Sequence, residues 1–180
     1  PVDQEGVMAF RVSGLVRSLD SQFSTVKEER QALAASLEVR PSDATRVLLQ
    51  AYVQDDPEGS YHSGVPADAS LNASHNGRLI SRYFFDGDAS VEKFQRKQRF
   101  LGYQLEHAFN DQWKFRQNFR NVSADTTLRQ IYGYGWASAN ELTRYYSGAD
   151  ESTSGNTIDN QLEGHFRTGA LKHTLLTGLD

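Results

Sequence analysis

The residues of this chain that could support catalysis or bind a metal ion are its histidines and two acidic clusters. The five histidines are His62, His75, His107, His165 and His173. No pair of them has the spacing of a metal site, and none stands beside a serine or aspartate in a nucleophile motif. Asp86-Gly87-Asp88 and the run 150–155 resemble calcium loops, but the twelfth position of the second is Gln161, not a bidentate glutamate. The sequence therefore predicts no enzyme, no metal site and no resident cofactor.

The strongest pattern is an alternation of apolar and polar side chains between residues 94 and 119. It runs up to the Asn110-Asp111 pair and resumes after it, which predicts an antiparallel hairpin with a tight turn. One face of this hairpin is apolar and aromatic. The other face is polar and carries Gln104, Glu106, Lys114, Arg116 and Arg120. Alternation of this kind fits a soluble antiparallel sheet and a transmembrane β-barrel equally well.

Similar alternation predicts further strands on both sides of the hairpin. We expect strands at 7–18, 29–40, 45–54 and 158–167, a fifth strand that continues to about residue 132, and a last strand after the turn at 168–170. Long loops are expected at 55–92 and 134–156, where the alternation stops. The chain is thus predicted to be all-β, an antiparallel meander of about seven long strands. Short turns should lie at one end and long loops at the other, as in outer-membrane barrels.

Composition limits the possible functions. The 180 residues are 38% hydrophobic and 23% charged with a net charge of −4, which fits one folded unit and does not suggest a nucleic-acid binder. No run of about 18 apolar residues predicts a transmembrane helix, although barrel strands are not subject to this criterion. There is no cysteine, so neither a disulfide framework nor a thiolate metal site is expected. The chain begins at Pro1 and stops within a strand-like pattern, so we expect it to be a segment of a longer protein.

A series of short motifs resembles one protein family. The motifs are Asp56-Pro57-Glu58-Gly59, Asn76-Gly77-Arg78, Phe85-Asp86-Gly87-Asp88, GYQLEHAFN at 102–110, Phe115-Arg116-Gln117-Asn118, IYGYG at 131–135, TIDNQL at 157–162 and TGALKHTLLTG at 168–178. In this order and spacing they resemble the early barrel of ferrichrome-type TonB-dependent siderophore receptors. The resemblance covers essentially all of the chain.

The resemblance implies a fold, a location and a set of partners. It implies an outer-membrane barrel of about 22 strands in a Gram-negative bacterium, with an N-terminal plug domain inside. Residues 1–180 would be part of the barrel domain, and the plug and the remaining strands would be absent from this chain. The receptor would take up ferric hydroxamate siderophores with energy from TonB, which acts through the missing plug region. Iron would enter as the ferric siderophore, and outer-membrane lipid would surround the barrel.

The resemblance also points to three tyrosines as ligand contacts. Tyr132 and Tyr134 match a Tyr-Gly-Tyr element at the barrel mouth, and residues two apart on a strand lie on one face. Tyr61 matches a tyrosine in the loop after the third strand, but this chain has Tyr61-His62-Ser63-Gly64 where the family has Tyr-Gly-Trp. This departure leaves the identity of the siderophore open.

Two other interpretations remain open from the sequence. One is a small structural or adhesive outer-membrane barrel of about eight strands, for which 180 residues suffice. The other is a soluble lipocalin-like binder, in which the polar face would be turned outward around a closed apolar interior.

Overall fold

The fold is one open antiparallel sheet. A computed structural model describes residues 7–23, 25–59, 64–73 and 77–180. The strands within these residues are β1 (Met8–Asp20), β2 (Lys27–Ser42), β3 (Thr45–Glu58), β4 (Lys93–Ala108), β5 (Trp113–Trp136), β6 (Leu142–Thr168) and β7 (Leu171–Leu179). Each strand pairs with the next in chain order, which confirms the predicted all-β meander. β1 and β7 are the two edges of the sheet and do not pair with each other, so these seven strands do not close into a small barrel or a lipocalin-like one.

The connections at one end of the sheet are short, as predicted. Residues 43–44, 109–112 and 169–170 join β2 to β3, β4 to β5 and β6 to β7. Asn110 makes the second of these turns, because its side-chain oxygen accepts hydrogen bonds from the backbone N–H groups of Gln112 and Trp113, both at 2.9 Å. Gly169 has a φ of 62°, a left-handed conformation that tight hairpin turns require. We call this the short-turn end, and the opposite end the loop end.

The loop end differs from the prediction in one respect. The first long loop is present and connects β3 to β4 through residues 59–92. The prediction of a second long loop at 134–156 is wrong. β6 begins at Leu142 and pairs with β5 as far as Trp136, so the connection between them consists of residues 137–141 only. The upper part of β6 is rich in serine, threonine, glycine and acidic residues on both faces, so it shows no alternation. Backbone hydrogen bonds to β5 make it a strand nonetheless.

One face of the sheet is an uncovered apolar surface. Its central row runs across six strands in register and consists of Phe10, Leu37, Leu49, Tyr103, Phe119 and Ile158. Phe10, Leu49 and Ile158 of this row are exposed, Phe10 at 64%. Leu101, in the neighbouring row of the same face, is 59% exposed. Among the described residues only Val26 and Ala69 are buried hydrophobic residues. The sheet is therefore a wall whose apolar face needs an apolar environment, not a sandwich with its own core.

The upper border of this apolar surface is oblique. On β1 it reaches Val16, whose partner on β2 is already Gln31, so the border on β2 lies two residues lower. On β3 it reaches Val53, which faces Arg99 on β4. On β4 it reaches Leu101, which faces Asn121 on β5. The border falls at three of the five strand pairs from β1 to β6 and is level at β2–β3 and β5–β6, where the upper apolar residues are partners. An oblique border of this kind is expected where tilted strands cross a flat apolar layer.

The opposite face is held together by ion pairs. Near the short-turn end Arg46 joins Glu38 at 2.8 Å to Glu106 at 3.2 Å, across β2, β3 and β4. Near the loop end the carboxylate of Asp56, which is 5% exposed, accepts hydrogen bonds from Arg30 at 2.7 Å and Arg96 at 3.2 Å. These bonds tie neighbouring strands through side chains in addition to the backbone ladder.

No helix of a length and apolarity sufficient to cross a membrane occurs in the part of the chain that the structure describes.

Candidate ligand-binding site

Three tyrosines meet at the loop end of the β5–β6 pair. Tyr132 of β5 and Tyr145 of β6 are partners in the register, with ring centroids 6.5 Å apart. The ring of Tyr134 contacts that of Tyr145 edge-on at 4.9 Å. The structure therefore brings together the two tyrosines singled out in the sequence, by way of a third ring between them.

Tyr134 lies at an irregularity in the β5–β6 ladder. Gly133 pairs with Arg144 and Gly135 with Thr143, so Tyr134 has no partner of its own on β6. An extra residue of this kind is a β-bulge, which bends the strand and redirects a side chain. The strict alternation assumed for the Tyr-Gly-Tyr element is thus interrupted, yet both rings still contact Tyr145. The redirected Tyr134 ring is 71% exposed and is available to a ligand.

Two carboxylates of the β3–β4 loop accept hydrogen bonds from backbone N–H groups of β5 beyond the end of its pairing with β4. β4 pairs with β5 only as far as Arg129, so the next backbone N–H groups of β5 on that side lack a strand partner. The N–H of Ile131 donates to Glu92 Oε1 at 2.7 Å, and the N–H of Gly133 donates to Asp86 Oδ2 at 2.6 Å. Asp86 is 2% exposed. Charged acceptors in these positions make strong hydrogen bonds and hold the strand in place.

The same loop also holds β6 and the tip of β5. Arg144 donates from Nη1 to the carbonyl oxygen of Gly87 at 2.9 Å and lies 3.5 Å from that of Asp86. The indole Nε1 of Trp136 donates to the carbonyl oxygen of Asp68 at 3.3 Å. The tyrosine cluster therefore lies on a platform whose two strands are both fixed by the β3–β4 loop.

The tyrosine cluster offers surfaces that suit ligand recognition. Phenol rings offer a flat apolar face and a polar rim, so they suit a ligand that has both hydrocarbon and amide surface. Among the described residues there is no group of three or more histidine, cysteine or acidic side chains that could hold a metal ion.

The remaining residues considered in the sequence have local roles, as far as the structure describes them. Tyr61, His62 and His75 lie outside the described residues. His107 Nδ1 contacts the Thr45 hydroxyl at 2.8 Å, and His165 Nε2 contacts Glu163 at 2.9 Å. His165 also contacts the hydroxyl of Thr174 on β7 through Nδ1 at 3.1 Å. Both histidines therefore link neighbouring strands of the sheet.

The two acidic clusters likewise have structural partners. Asp88 accepts hydrogen bonds from the hydroxyl and the backbone N–H of Ser90, and these bonds hold the pKa of its carboxyl below the ordinary value. Asp150 forms an ion pair with Arg129 on the neighbouring strand.

Sequence reasoning missed Tyr145 and the role of Asp86. Tyr145 falls within the predicted loop 134–156, and the sequence singles out Asp86 only as part of a run that resembles a calcium loop. Two signals point to them in retrospect. One is an aromatic pair, Tyr145-Tyr146, in an otherwise polar stretch, and the other is a carboxylate near the end of a long loop that must return to the sheet.

Comparison with known proteins gives consistent results. No protein-family model matches the chain. The chain is 43% identical over 180 residues to the ferrioxamine B receptor of Salmonella typhimurium, a match that covers all of the chain and 26% of that protein. It is 32% identical over 197 residues to the ferrichrome outer membrane transporter/phage receptor of Escherichia coli, covering 99% of the chain and 26% of that protein. The chain thus spans about a quarter of the length of the curated relatives it matches.

A solved structure shows the same fold. The open form of the ferric-catecholate import receptor Fiu of Escherichia coli superimposes with a TM-score of 0.84 over 96% of the chain and 29% of the receptor, at 19% sequence identity. The meander, with its one apolar and one polar face, is therefore the fold of a segment of a siderophore-receptor barrel.

Proposed function

We propose that this chain, which belongs to the TonB-dependent siderophore-receptor family, forms part of an outer-membrane receptor for ferric hydroxamate siderophores. The observation that carries the proposal is the 43% identity to a ferrioxamine B receptor along the entire chain. The similarity to a ferrichrome transporter supports the same chemical class, since ferrioxamine and ferrichrome are both hydroxamates. The uncovered apolar face with its oblique border supports a position in a lipid bilayer.

In this proposal residues 1–180 are one part of a larger barrel domain. The seven strands would contribute about a third of a barrel of about 22 strands, and the polar face would line a lumen filled by a plug domain. TonB would act through that plug. Iron would arrive with its chelator as substrate, and the chain itself would contribute neither metal ligands nor catalytic groups.

The ligand contacts in the proposal are Tyr132 and Tyr134, joined by Tyr145 on the neighbouring strand. The contacts among the three rings and the exposure of Tyr134 support this assignment. Tyr61 is included on the strength of its motif alone. Rings at the loop end of the polar face would meet a siderophore before it enters the lumen.

The proposal is tested with the full-length receptor in a bacterial strain that lacks its own hydroxamate and catecholate receptors. We expect growth under iron limitation with ferrioxamine B or ferrichrome as iron source, and no growth when TonB is deleted. A ferric catecholate serves as the matched substrate control and should not support growth. Failure with both hydroxamates, although the receptor is present in the outer membrane, would overturn the proposal.

A further inference from the structure

We infer that Asp86 is a positioning residue that couples the β3–β4 loop to the tyrosine cluster. This inference rests on the proposed function, because the cluster is the proposed siderophore contact. It goes further in assigning control over the shape of that site to a carboxylate of the β3–β4 loop, which is not itself one of the proposed ligand contacts.

Asp86 contacts the backbone of the strand that carries Tyr132 and Tyr134. Its carboxylate accepts the N–H of Gly133, the residue between Tyr132 and Tyr134, at 2.6 Å. The adjoining carbonyl oxygen of Gly87 accepts from Arg144, the residue next to Tyr145, at 2.9 Å. One dipeptide of the loop therefore contacts both strands at the points from which all three rings project.

The contact is needed because the backbone is irregular there. β4 no longer pairs with this part of β5, and the bulge at Tyr134 removes one regular partner on β6 as well. A backbone N–H left without an acceptor in such a place is costly, and a carboxylate is the strongest acceptor a protein offers. Asp86 thus fixes a segment that the sheet itself holds only on one side.

The close approach at Gly133 shows that the fit is tight. A Cβ atom placed on Gly133 would lie 3.1 Å from Asp86 Oδ2 and 2.8 Å from Leu142 Cδ2. Only glycine allows the loop carboxylate to reach the backbone without displacing these neighbours. Gly133, between the two tyrosines, therefore makes room for the carboxylate of Asp86.

Two other acids of the loop provide comparisons. Glu92 makes the equivalent bond to Ile131 at 2.7 Å, two residues further from the bulge. Asp88 accepts hydrogen bonds from the backbone N–H and the hydroxyl of Ser90, within the loop itself. If Asp86 acts by fixing the bulge, its replacement should affect the tyrosines strongly, that of Glu92 less, and that of Asp88 hardly at all.

The first test does not require a ligand. The full-length receptor is prepared as wild type, Asp86→Ala, Asp86→Asn and the control Asp88→Asn, and backbone hydrogen exchange is measured on peptides spanning 131–136. We expect faster exchange in Asp86→Ala, an intermediate rate in Asp86→Asn because the amide oxygen still accepts a bond, and wild-type exchange in Asp88→Asn. Wild-type exchange in both Asp86 variants would overturn the inference.

The second test measures the dissociation constant for ferric ferrioxamine B by fluorescence quenching. We expect Asp86→Ala to weaken binding about tenfold, because the N–H of Gly133 loses its acceptor, and Asp86→Asn to weaken it about threefold. In a receptor that already carries Tyr132→Ala and Tyr134→Ala, Asp86→Ala should have almost no further effect. An undiminished tenfold loss in that background would show that Asp86 does not act through the tyrosines, and would also overturn the inference.

The two proposals fail in different ways. If the wild-type receptor binds neither ferrioxamine B nor ferrichrome, the proposed function is wrong, and hydrogen exchange still decides whether Asp86 fixes the bulge. If the wild type binds and the Asp86 variants bind equally well, the function stands and the positioning role is wrong. Should Asp86→Ala fail to reach the outer membrane, Asp86→Asn decides both measurements.

Discussion

The lower and upper halves of the β5–β6 hairpin share one backbone ladder but have different surroundings. The lower half, residues 113–121 with 156–164, presents Phe115, Phe119 and Leu162 on the apolar face of the sheet. The upper half, residues 122–136 with 142–155, presents mostly polar side chains on both faces and is fixed by the β3–β4 loop. The border of the apolar face is therefore set by side chains, while the strands pass through it without interruption.

In the proposed function, this comparison gives the two halves of the hairpin different roles. The lower half needs lipid to cover its apolar face, so its side chains stabilise the protein in the membrane. The upper half stands in water, where bulges and polar side chains are tolerated and can be shaped for a ligand. In the proposal, a single hairpin therefore joins a membrane-spanning wall to a recognition surface.

The largest expected effect comes from placing a charge on the outward face at three heights of β6. We expect Leu162→Arg to lower the free energy of unfolding in phospholipid vesicles by about 2–4 kcal/mol, because the charge enters the apolar layer. Ile158→Arg, at the border, should cost less, and Ser154→Arg, on the same face above it, about 0–1 kcal/mol. The measurement is urea unfolding followed by tryptophan fluorescence.

The same three variants in a wholly aqueous sheet would show no such gradient. Equal costs at Leu162 and Ser154 would therefore contradict the position of the border. Ser154→Lys is a useful control, since a second cation at the same site should behave as Ser154→Arg does.

A smaller effect is expected from adding one methyl group to a glycine in each half. A Cβ on Gly164 would lie 2.5 Å from the ring of Trp113, so Gly164→Ala should displace that ring and cost about 1 kcal/mol of stability without changing ligand binding. Gly133→Ala should instead displace Asp86 and weaken ferrioxamine B binding about threefold. Unfolding and binding titrations of both variants separate the two outcomes, and identical behaviour of the two would contradict the division of the hairpin.

The smallest effect is expected at Asp88, which lies two residues from Asp86 in the β3–β4 loop. Hydrogen bonds from Ser90 lower the pKa of the Asp88 carboxyl below its ordinary value of 3.8. The ionised carboxylate therefore stabilises the folded loop at every pH above 3.8, and this stabilisation is lost as the pH falls through the lower pKa of the folded state. Wild type and Asp88→Asn should therefore differ slightly at neutral pH and converge well below 3.8. The measurement is the thermal midpoint as a function of pH, and a difference that grows on acidification would be the wrong sign.

The sequence predicted the lower half of the hairpin better than the upper half. Alternation between wet and apolar faces located the Asn110 turn and the strands beside it. The segment 142–156 has polar residues on both faces, so the same signal is absent although the backbone pairs throughout. A strand with polar side chains on both faces shows no alternation in its sequence. Only the hydrogen bonds to its partner strand identify it, and the partner cannot be inferred from the segment itself.

The site was predicted only in part, for a similar reason. Tyr132 and Tyr134 are two residues apart in sequence and match a motif, so the sequence alone is enough to propose them. Tyr145 joins them only through the register of two strands, and Asp86 only through a loop that returns to the sheet over more than forty residues of sequence separation. Contacts between distant segments depend on the three-dimensional path of the chain.

The most direct test of the account is ligand binding by variants of the tyrosine pair. Ligand-induced quenching of intrinsic fluorescence is measured in detergent for wild type, Tyr132→Ala, Tyr134→Ala and the double variant of the full-length receptor. Loss of both rings from the ligand surface should cost about 1–3 kcal/mol, a five- to 150-fold rise in the dissociation constant for ferrioxamine B. Heat-modifiable migration on gels should remain as in wild type, because the rings lie above the apolar border. Unchanged affinity in a double variant that is still folded would contradict the assignment of this cluster as the ligand contact.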